Sequence, residues 1–135
     1  MKFTNSLIKG KLLKRYKRFF ADIKVNNKII TAHCPNTGSM QGLLDEGNEV
    51  LVTKHDDPKR KLKFTLEIIK AKKRYVGVNT HRANKIVNHG LENKLISEFK
   101  TIKNIKPEFK FSDDTRFDFL CDNYLIEVKN VTLFR

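Results

Sequence analysis

The sequence contains no tryptophan, and it has only two cysteines and three prolines among 135 residues. Cys34 and Cys121 stand far apart without C-x-x-C spacing, so we expect reduced core thiols and no disulfide. No apolar run approaches the roughly 20 residues that cross a bilayer. The N-terminal residues lack the apolar core and the cleavage site of a signal peptide. These absences argue against a secreted, disulfide-stapled or membrane-spanning protein and favour a cytosolic one.

The chain is strongly basic, with a formal net charge of +13. Residues 1–30 hold nine Lys and Arg against one acid, and residues 54–74 hold nine against three. Residues 113–135 reverse the sign, with five acids against three bases. A basic front and middle suit a polyanion such as nucleic acid, through phosphate contacts and counterion release. The alternative is a lysine-rich surface without a specific partner.

The first eighty residues predict an all-β domain. Alternating segments bounded by turn residues predict strands over 18–25, 29–34, 49–55, 62–71 and 74–79. The tripeptide "NNK" predicts a hairpin turn between the first two strands, and "PNTGSMQG" (residues 35–42) predicts a loop. Five or six short strands in this length fit a small barrel of the oligonucleotide-binding (OB) type. We therefore predict an OB-like nucleic-acid-binding domain over residues 1–80.

The pattern turns helical after Asn79. The segment "ANKIVNHGLENKLISEF" (residues 83–99) carries an apolar stripe at helical spacing, formed by Val87, Leu91 and Leu95. Asn84 is the expected N-cap, and Gly90 is a position where the helix can split. Glu98 falls in the middle of the same stripe on a helical wheel, so it is a candidate inward-pointing acid. The alternative is that the indexing slips at Gly90 and Glu98 is solvated.

Two further strands follow, "RFDFLC" (residues 116–121) and "YLIEVKNVTL" (residues 124–133). Only Asp122-Asn123 separates them, which predicts a tight hairpin whose register places Asp118 directly opposite Glu127. Side chains alternate between the faces, so one face is expected to be core: Phe117, Phe119, Cys121, Tyr124, Ile126 and Val128. Strands after a helix predict an α+β unit appended to the barrel, over residues 81–135.

The opposite face of this hairpin carries the candidate chemistry. Two carboxylates facing each other are destabilising unless a cation compensates them. Asp118 and Glu127, with Glu98 as a third candidate ligand, therefore predict a Mg²⁺ or Mn²⁺ site. Lys129 on the same face would orient a water or stabilise charge on a phosphate, which makes Asp118, Glu127 and Lys129 the candidate catalytic set. The alternative is a solvated sheet face on which Glu127 pairs with Lys129 or Arg116.

Two segments of the first domain are candidate nucleic-acid contacts. In "KLLKRYKRF" basic residues alternate with aromatic ones, a combination suited to phosphates and stacked bases; the alternative is a lysine-rich strand with core aromatics. The backbone N–H groups of the "PNTGSMQG" loop suit a phosphate, although the loop is no Walker A motif and the alternative is an ordinary turn. The candidate set, completed from the basic stretch 54–74, is Arg15, Lys17, Arg18, Thr37, Gly38, Ser39, Arg60 and Lys61.

Taken together, "KRYKRFFADIKV", "HCPNTGSMQG", "VGVNT", "RFDFL" and "YLIEVKNVTL" resemble the sugar fermentation stimulation protein (SfsA) family over essentially the whole chain. The resemblance implies a bacterial, cytosolic protein, with the nucleoid as a candidate location, that binds DNA with little sequence selectivity and affects expression of sugar-utilisation genes. It also implies an OB-like domain followed by a restriction-endonuclease-like domain of the PD-(D/E)xK type. The positions that match the nuclease motif are Asp118, Glu127 and Lys129, with Glu98 as a further acid.

The chain ends at Arg135, directly after "EVKNVTL", whereas members of the family continue substantially further. We therefore expect the 81–135 domain to be incomplete. Two functional readings follow from the residues and the resemblance. One is a DNA-binding protein; the other is a Mg²⁺-dependent phosphodiesterase acting on DNA or RNA. An RNA-associated basic protein is a third reading, and positive charge does not separate the three.

Overall fold

The computed structural model describes residues 2–133, which divide into two compact units. One unit holds Lys2–Thr80 together with residues 131–133, and the other holds His81–Asn130. The predicted domains, 1–80 and 81–135, also include residues 1, 134 and 135, which lie outside the described residues. No helix among residues 2–133 has the length and apolar character needed to cross a membrane.

The first unit is a small β-barrel. Its six-stranded sheet has the order β3-β2-β1-β4-β5-β6. A parallel pairing of β3 with β5 closes the first five strands on themselves, and β6 extends the sheet beyond this closure. The predicted N-terminal barrel is thus confirmed. The strands are β1 (Leu7–Tyr16), β2 (Phe20–Val25), β3 (Lys28–His33), β4 (Glu49–Lys54), β5 (Phe64–Ala71) and β6 (Arg74–Gly77).

The longest strand, β1, is the one that the sequence pattern missed. Its first half pairs with β4, and its second half pairs with β2. The register of the β1–β2 pairing shifts between Leu12 and Lys14, just beyond the residues that pair with β4. Such a bulge bends the strand and increases its twist. The predicted first strand began at Arg18, but Lys17 and Arg18 have φ of 49° and 63° and form the β1–β2 turn.

The barrel core follows the expected alternation of strand side chains. In β2, Ala21 and Ile23 are fully buried, while their neighbours along the strand are partly or fully exposed. The turn between β2 and β3 is formed by Asn26 and Asn27, with φ of 47° and 66°, which confirms the predicted hairpin, although Lys28 of the predicted "NNK" turn already belongs to β3. The buried set comprises Leu12, Ala21, Ile23, Ala32, Cys34, Met40, Leu43, Val50, Val52, Leu66, Ile69, Ala71 and Val78.

The second unit combines one helix with a three-stranded antiparallel sheet. Helix α1 is followed by a 3₁₀ turn (Ser97–Phe99) and by strands in the order β7-β8-β9. Its buried core consists of Leu91, Ile102, Phe119 and Cys121, with Val87 and Ile126 among the residues packed around it. The predicted helix-then-strands order is thus confirmed. The elements are α1 (His81–Glu92), β7 (Ile105–Lys110), β8 (Arg116–Cys121) and β9 (Tyr124–Ile126).

The helix ends earlier than its apolar spacing predicts. The N–H of Leu95 donates to Gly90 O at 2.9 Å and the N–H of Lys94 to Leu91 O at 3.3 Å. Lys94 has a φ of 54°, so these bonds form a Schellman C-cap. Leu95 is therefore 67% exposed, and the wheel that placed Glu98 on the inward stripe was wrong. Asn84 also lies inside the helix and is not its N-cap.

Gly10 in β1 lies against residues of β2 without room for a side chain. A Cβ at this position would lie 2.6 Å from Ile23 Cγ2 and 3.0 Å from Lys24 O. We expect Gly10→Ala to lower the free energy of unfolding by about 1–3 kcal/mol, because a well-packed core accepts added atoms only with strain. Urea unfolding followed by circular dichroism measures the change.

Gly77 in β6 supplies the matched control. A Cβ there meets nothing within 4 Å. Gly77→Ala should leave stability unchanged or raise it by about 0.5 kcal/mol, because alanine loses less backbone entropy on folding. Equal unfolding midpoints for the two variants would contradict the packing described at Gly10.

Candidate nucleic-acid interface and acidic hairpin

The β1–β2 turn presents two cations and one aromatic ring to solvent. Lys17 and Arg18 both adopt left-handed backbone conformations and are exposed. The N–H of Phe19 donates to Lys17 O at 2.7 Å, which closes the turn. The Phe19 side chain remains 44% exposed, and its ring stacks on His33 with centroids 6.4 Å apart.

The predicted "PNTGSMQG" loop has a buried base and an exposed tip. Asn36 is 3% exposed, and its Oδ1 accepts the Gly38 N–H at 2.9 Å. Its Nδ2 donates to Val78 O at 3.0 Å and lies 3.5 Å from Thr132 Oγ1. Thr37, Gly38 and Ser39 are exposed above this anchor. The buried side-chain amide of Asn36 therefore anchors the loop to the barrel. The Gly38 N–H, one of the predicted phosphate-binding groups, already donates to that amide.

Arg15 joins the turn and the loop. Its Nε donates to Arg18 O at 2.9 Å, while Nη1 donates to Gly38 O at 2.7 Å and Nη2 to Asn36 O at 2.6 Å. Each of the three guanidinium nitrogens thus contacts a backbone carbonyl, two of them in one segment and one in the other. The side chain predicted as a phosphate contact thus acts as a clamp between two segments that the β2–β3 pairing already places side by side.

The remaining predicted contacts lie on the loop between β4 and β5. Arg60 Nη2 donates to Thr65 Oγ1 at 2.7 Å, and Lys61 is exposed. Thr65 is the register partner of His33 in the β3–β5 pairing that closes the barrel. Because His33 carries the stacked Phe19 ring, Arg60 approaches the same end of the barrel. We call the surface formed by Lys17, Arg18, Phe19, His33, residues 37–39 and Arg60 the clamp face.

Burial raises the pKa of the Cys34 thiol beneath this loop, and the nearby Arg15 guanidinium opposes that rise. The Cys34 Sγ lies 3.7 Å from Met40 Sδ, and both side chains belong to the barrel core. Since the thiolate is the reactive form of cysteine, a buried thiol with a raised pKa is an inert packing group.

The barrel also buries an acid that the sequence reading did not single out. Glu67 is 2% exposed and accepts hydrogen bonds from Thr53 Oγ1 at 2.7 Å and Asn79 Nδ2 at 3.0 Å. Since Thr53 gives its only hydroxyl proton to Glu67, the 2.9 Å contact with His55 requires that Nε2 be the donor. This network links β4, β5 and the segment after β6. Its only signal in the sequence is a charged residue inside the apolar run "TLEII".

Asp118 is the anchored acid of the second unit. Its Oδ1 accepts from Asn84 Nδ2 at 2.8 Å, and its Oδ2 accepts the Val128 N–H at 2.7 Å. The β8–β9 register is as predicted for Phe119–Ile126, Leu120–Leu125 and Cys121–Tyr124. The ladder stops there, so the predicted ladder pair of Asp118 with Glu127 is wrong. Two facing carboxylates would repel each other. Asp118 instead accepts the backbone N–H of Val128, the residue after Glu127.

Glu127 and Lys129 lie beyond the end of β9. Their side chains are 48% and 76% exposed, and Lys129 Nζ lies 3.6 Å from Glu127 Oε1. This is the pairing foreseen in the alternative of a solvated face. Glu98 is exposed in the 3₁₀ turn, and within residues 2–133 no three His, Cys, Asp or Glu side chains converge as a metal cluster would.

The candidate ligands that remain are two carboxylates, those of Asp118 and Glu127, which are too few for an all-protein cation cage. A carboxylate offers about four lone-pair positions, so Asp118 keeps acceptor capacity beside its two hydrogen bonds. Mg²⁺ retains several waters and takes only one or two carboxylates. Asp118 and Glu127 are carboxylates of the kind that such an ion takes, whereas Glu98 has lost the helical geometry on which its inclusion depended.

Comparison with known proteins matches both units to one family. Residues 13–78 match the family model described as the SfsA N-terminal OB domain, and residues 81–135 match the sugar fermentation stimulation protein RE domain. A sugar fermentation stimulation protein homolog from Pelagibacter ubique is 66% identical over 100% of this chain and 60% of its own length. One from Alteromonas mediterranea is 43% identical over 98% of this chain and 61% of its own. The chain thus spans about three fifths of these relatives.

Among solved structures, that of Pyrococcus furiosus SfsA in complex with Ca²⁺ superposes with a TM-score of 0.75 at 21% sequence identity. The match covers 90% of this chain and 51% of that protein. At this identity the likeness concerns the fold, and it extends across most of the elements described above.

The clamp predicts that Arg15→Lys is not a conservative exchange. A single ammonium cannot reach three carbonyls that a planar guanidinium reaches at once. We expect the variant to lose about 1–3 kcal/mol of stability in urea unfolding and to show faster hydrogen exchange at the Gly38 amide. Arg18→Lys, the same exchange at an exposed neighbour, is the control. Matching exchange rates in the two variants would contradict the clamp.

Proposed function

The chain belongs to the sugar fermentation stimulation protein family, and from this premise we propose that it binds nucleic acid through the clamp face of its barrel. The single observation that carries the proposal is the Arg15 clamp. It gathers two exposed cations, Lys17 and Arg18, and the exposed loop tip 37–39 onto one end of an OB-type barrel. Proteins that bind nucleic acid draw most of their affinity from such cations against the phosphate backbone.

The charge of the chain supports the same proposal. A formal net charge of +13 steers a polyanion toward the protein over distances beyond direct contact. Lys17 and Arg18 would take phosphates, and the free N–H groups of an exposed loop tip would add neutral donors. Contacts of this kind carry little sequence information, so the proposed binding has low sequence selectivity. DNA is the proposed target, with an effect on sugar-utilisation genes as the proposed consequence.

We expect Lys17→Gln/Arg18→Gln to weaken DNA binding about tenfold at low salt. It should also reduce the slope of log K against log salt concentration by about 1–2, because each lost phosphate contact removes about one released counterion. Fluorescence anisotropy with a labelled oligonucleotide over a salt series measures both quantities.

Lys72→Gln/Lys73→Gln is the matched control. These residues are also consecutive, exposed cations in a left-handed turn, with φ of 49° and 67°. They lie between β5 and β6, at the opposite end of β5 from Thr65. Equal losses in both double variants would mean that net charge, and not the clamp face, governs binding. A flat salt response of the unsubstituted chain would contradict phosphate-driven binding altogether.

A second candidate function concerns the other unit, for which we infer the restriction-endonuclease-like PD-(D/E)xK fold and a divalent cation, Mg²⁺ or Mn²⁺. It is favoured by the anchored Asp118 carboxylate and by the Ca²⁺ complex of the solved relative. Asp118 and Glu127 would hold the cation and Lys129 would lie beside it, with Glu98 as a further candidate. Such an ion supplies charge neutralisation at a phosphate and an activated water. The alternative function is thus phosphodiester hydrolysis of DNA or RNA.

Calorimetric titration with Mg²⁺, Mn²⁺ and Ca²⁺ tests the cation site. We expect Glu127→Gln to abolish the binding heat without loss of stability, because the Glu127 side chain is half exposed and its ion pair is with the exposed Lys129. Asp113→Asn is the control, since Asp113 forms an exposed pair with Lys110 at the same 3.6 Å as Glu127 with Lys129. Binding that survives in Glu127→Gln would refute the assignment.

Nuclease assays with the same metals then separate binding from hydrolysis. Cleavage that disappears in Lys129→Ala would establish the enzyme. If the unsubstituted chain and Lys129→Ala both bind DNA and neither cleaves it, nucleic-acid binding is the only function supported.

A further inference from the structure

Phe19 is the exposed aromatic residue of the clamp face. Phe19 is 44% exposed at the tip of the turn, although burying a phenylalanine side chain would stabilise the fold. It stacks on His33 with an interplanar angle of 22°, so the ring has one aromatic neighbour while much of the residue remains accessible to solvent. Lys17 and Arg18, the two preceding residues, are exposed cations.

The neighbouring aromatic residues have other partners. Tyr16 and Phe20 stack on each other with centroids 5.5 Å apart, and the Tyr16 hydroxyl donates to Asp22 at 3.2 Å. Tyr16 also lies under the Lys14 ammonium, 5.2 Å from its ring centroid. These contacts account for Tyr16 and Phe20 within the barrel. Phe19 is thus the ring that the turn holds outward beside cations.

We propose that the Phe19–His33 pair is a stacking platform for an unpaired nucleobase, so that the clamp face takes single-stranded DNA or RNA in preference to duplex. The inference rests on the proposed nucleic-acid function and specifies its substrate class. Every base has a π-face that stacks on an aromatic ring, and neighbouring cations hold the strand by its phosphates. In a duplex both faces of each base are already stacked, so the platform gains nothing there.

The chain provides a matched control in Tyr75. This residue is 58% exposed and, like Phe19, has cations close by, with Lys70 Nζ 5.2 Å from its ring centroid. Tyr75 pairs with Lys70 near the C-terminal end of β5, whereas Thr65, the partner of His33, lies near the N-terminal end. Exposure and charge are thus comparable at the two rings, and only Phe19 belongs to the clamp face.

The absence of tryptophan makes a direct test practicable. Phe19→Trp and Tyr75→Trp each introduce a single tryptophan, whose emission can be excited apart from that of the tyrosines. Both proteins are titrated with oligothymidylate and oligouridylate of about 15 nucleotides, near the upper site size of one OB fold, and with a duplex of the same length. We expect both single strands to quench Trp at position 19 and to leave Trp at position 75 unchanged. Quenching by one of the two strands alone would still support the platform and would restrict it to that strand, since the two strands differ both in the sugar and in the C5 methyl group of the base.

Phe19→Leu completes the test, because it keeps an apolar side chain and removes the π-face. We expect it to weaken single-strand binding about tenfold and to leave duplex binding unchanged. Equal losses for single strand and duplex, or no quenching at position 19 while anisotropy reports binding, would overturn the platform and leave the proposed function intact. Absence of binding to every nucleic acid would overturn both.

Discussion

The guanidinium of Arg15 is the constraint on which the proposed interface depends. The β1–β2 turn and the loop after β3 are separated in sequence by the antiparallel strands β2 and β3, whose pairing places both segments at the same end of the barrel. Arg15 supplies one N–H to the first and two to the second. Because a guanidinium is planar and always charged, it fixes the mutual position of the two segments at any physiological pH. The cations at positions 17 and 18 and the loop tip then face solvent together.

Local patterns were sufficient to predict most of the fold. The Asn26-Asn27 and Asp122-Asn123 turns set two hairpins, and the register of the second was correct for its three ladder pairs. Strand β1 was missed because Gly10, not a large apolar residue, takes an inward position and breaks the visible alternation. The helix end was missed because Lys94, not glycine, adopts the left-handed C-cap conformation.

The candidate sites were harder to predict, since residue type does not state what a side chain contacts. Arg15 belongs to a basic, aromatic segment that suggests phosphate contact, yet its donors are used by carbonyls that only the folded barrel brings near. Asp118 lies on the predicted strand, but its carboxylate binds a side-chain amide from α1 and a backbone N–H beyond β9. Both outcomes depend on non-local geometry. Phe19 and His33 likewise stack only because the turn and β3 meet.

The central claim is that the two clamped segments form one nucleic-acid surface, and amide chemical-shift mapping tests it most directly. In the ¹⁵N-labelled chain, added oligothymidylate should shift the amides of residues 17–19 and 37–39 together, with a single dissociation constant for both segments. The control region is the β5–β6 turn at Lys72-Lys73, whose amides should stay in place. Shifts confined to that turn, or different dissociation constants for the two clamped segments, would contradict the account.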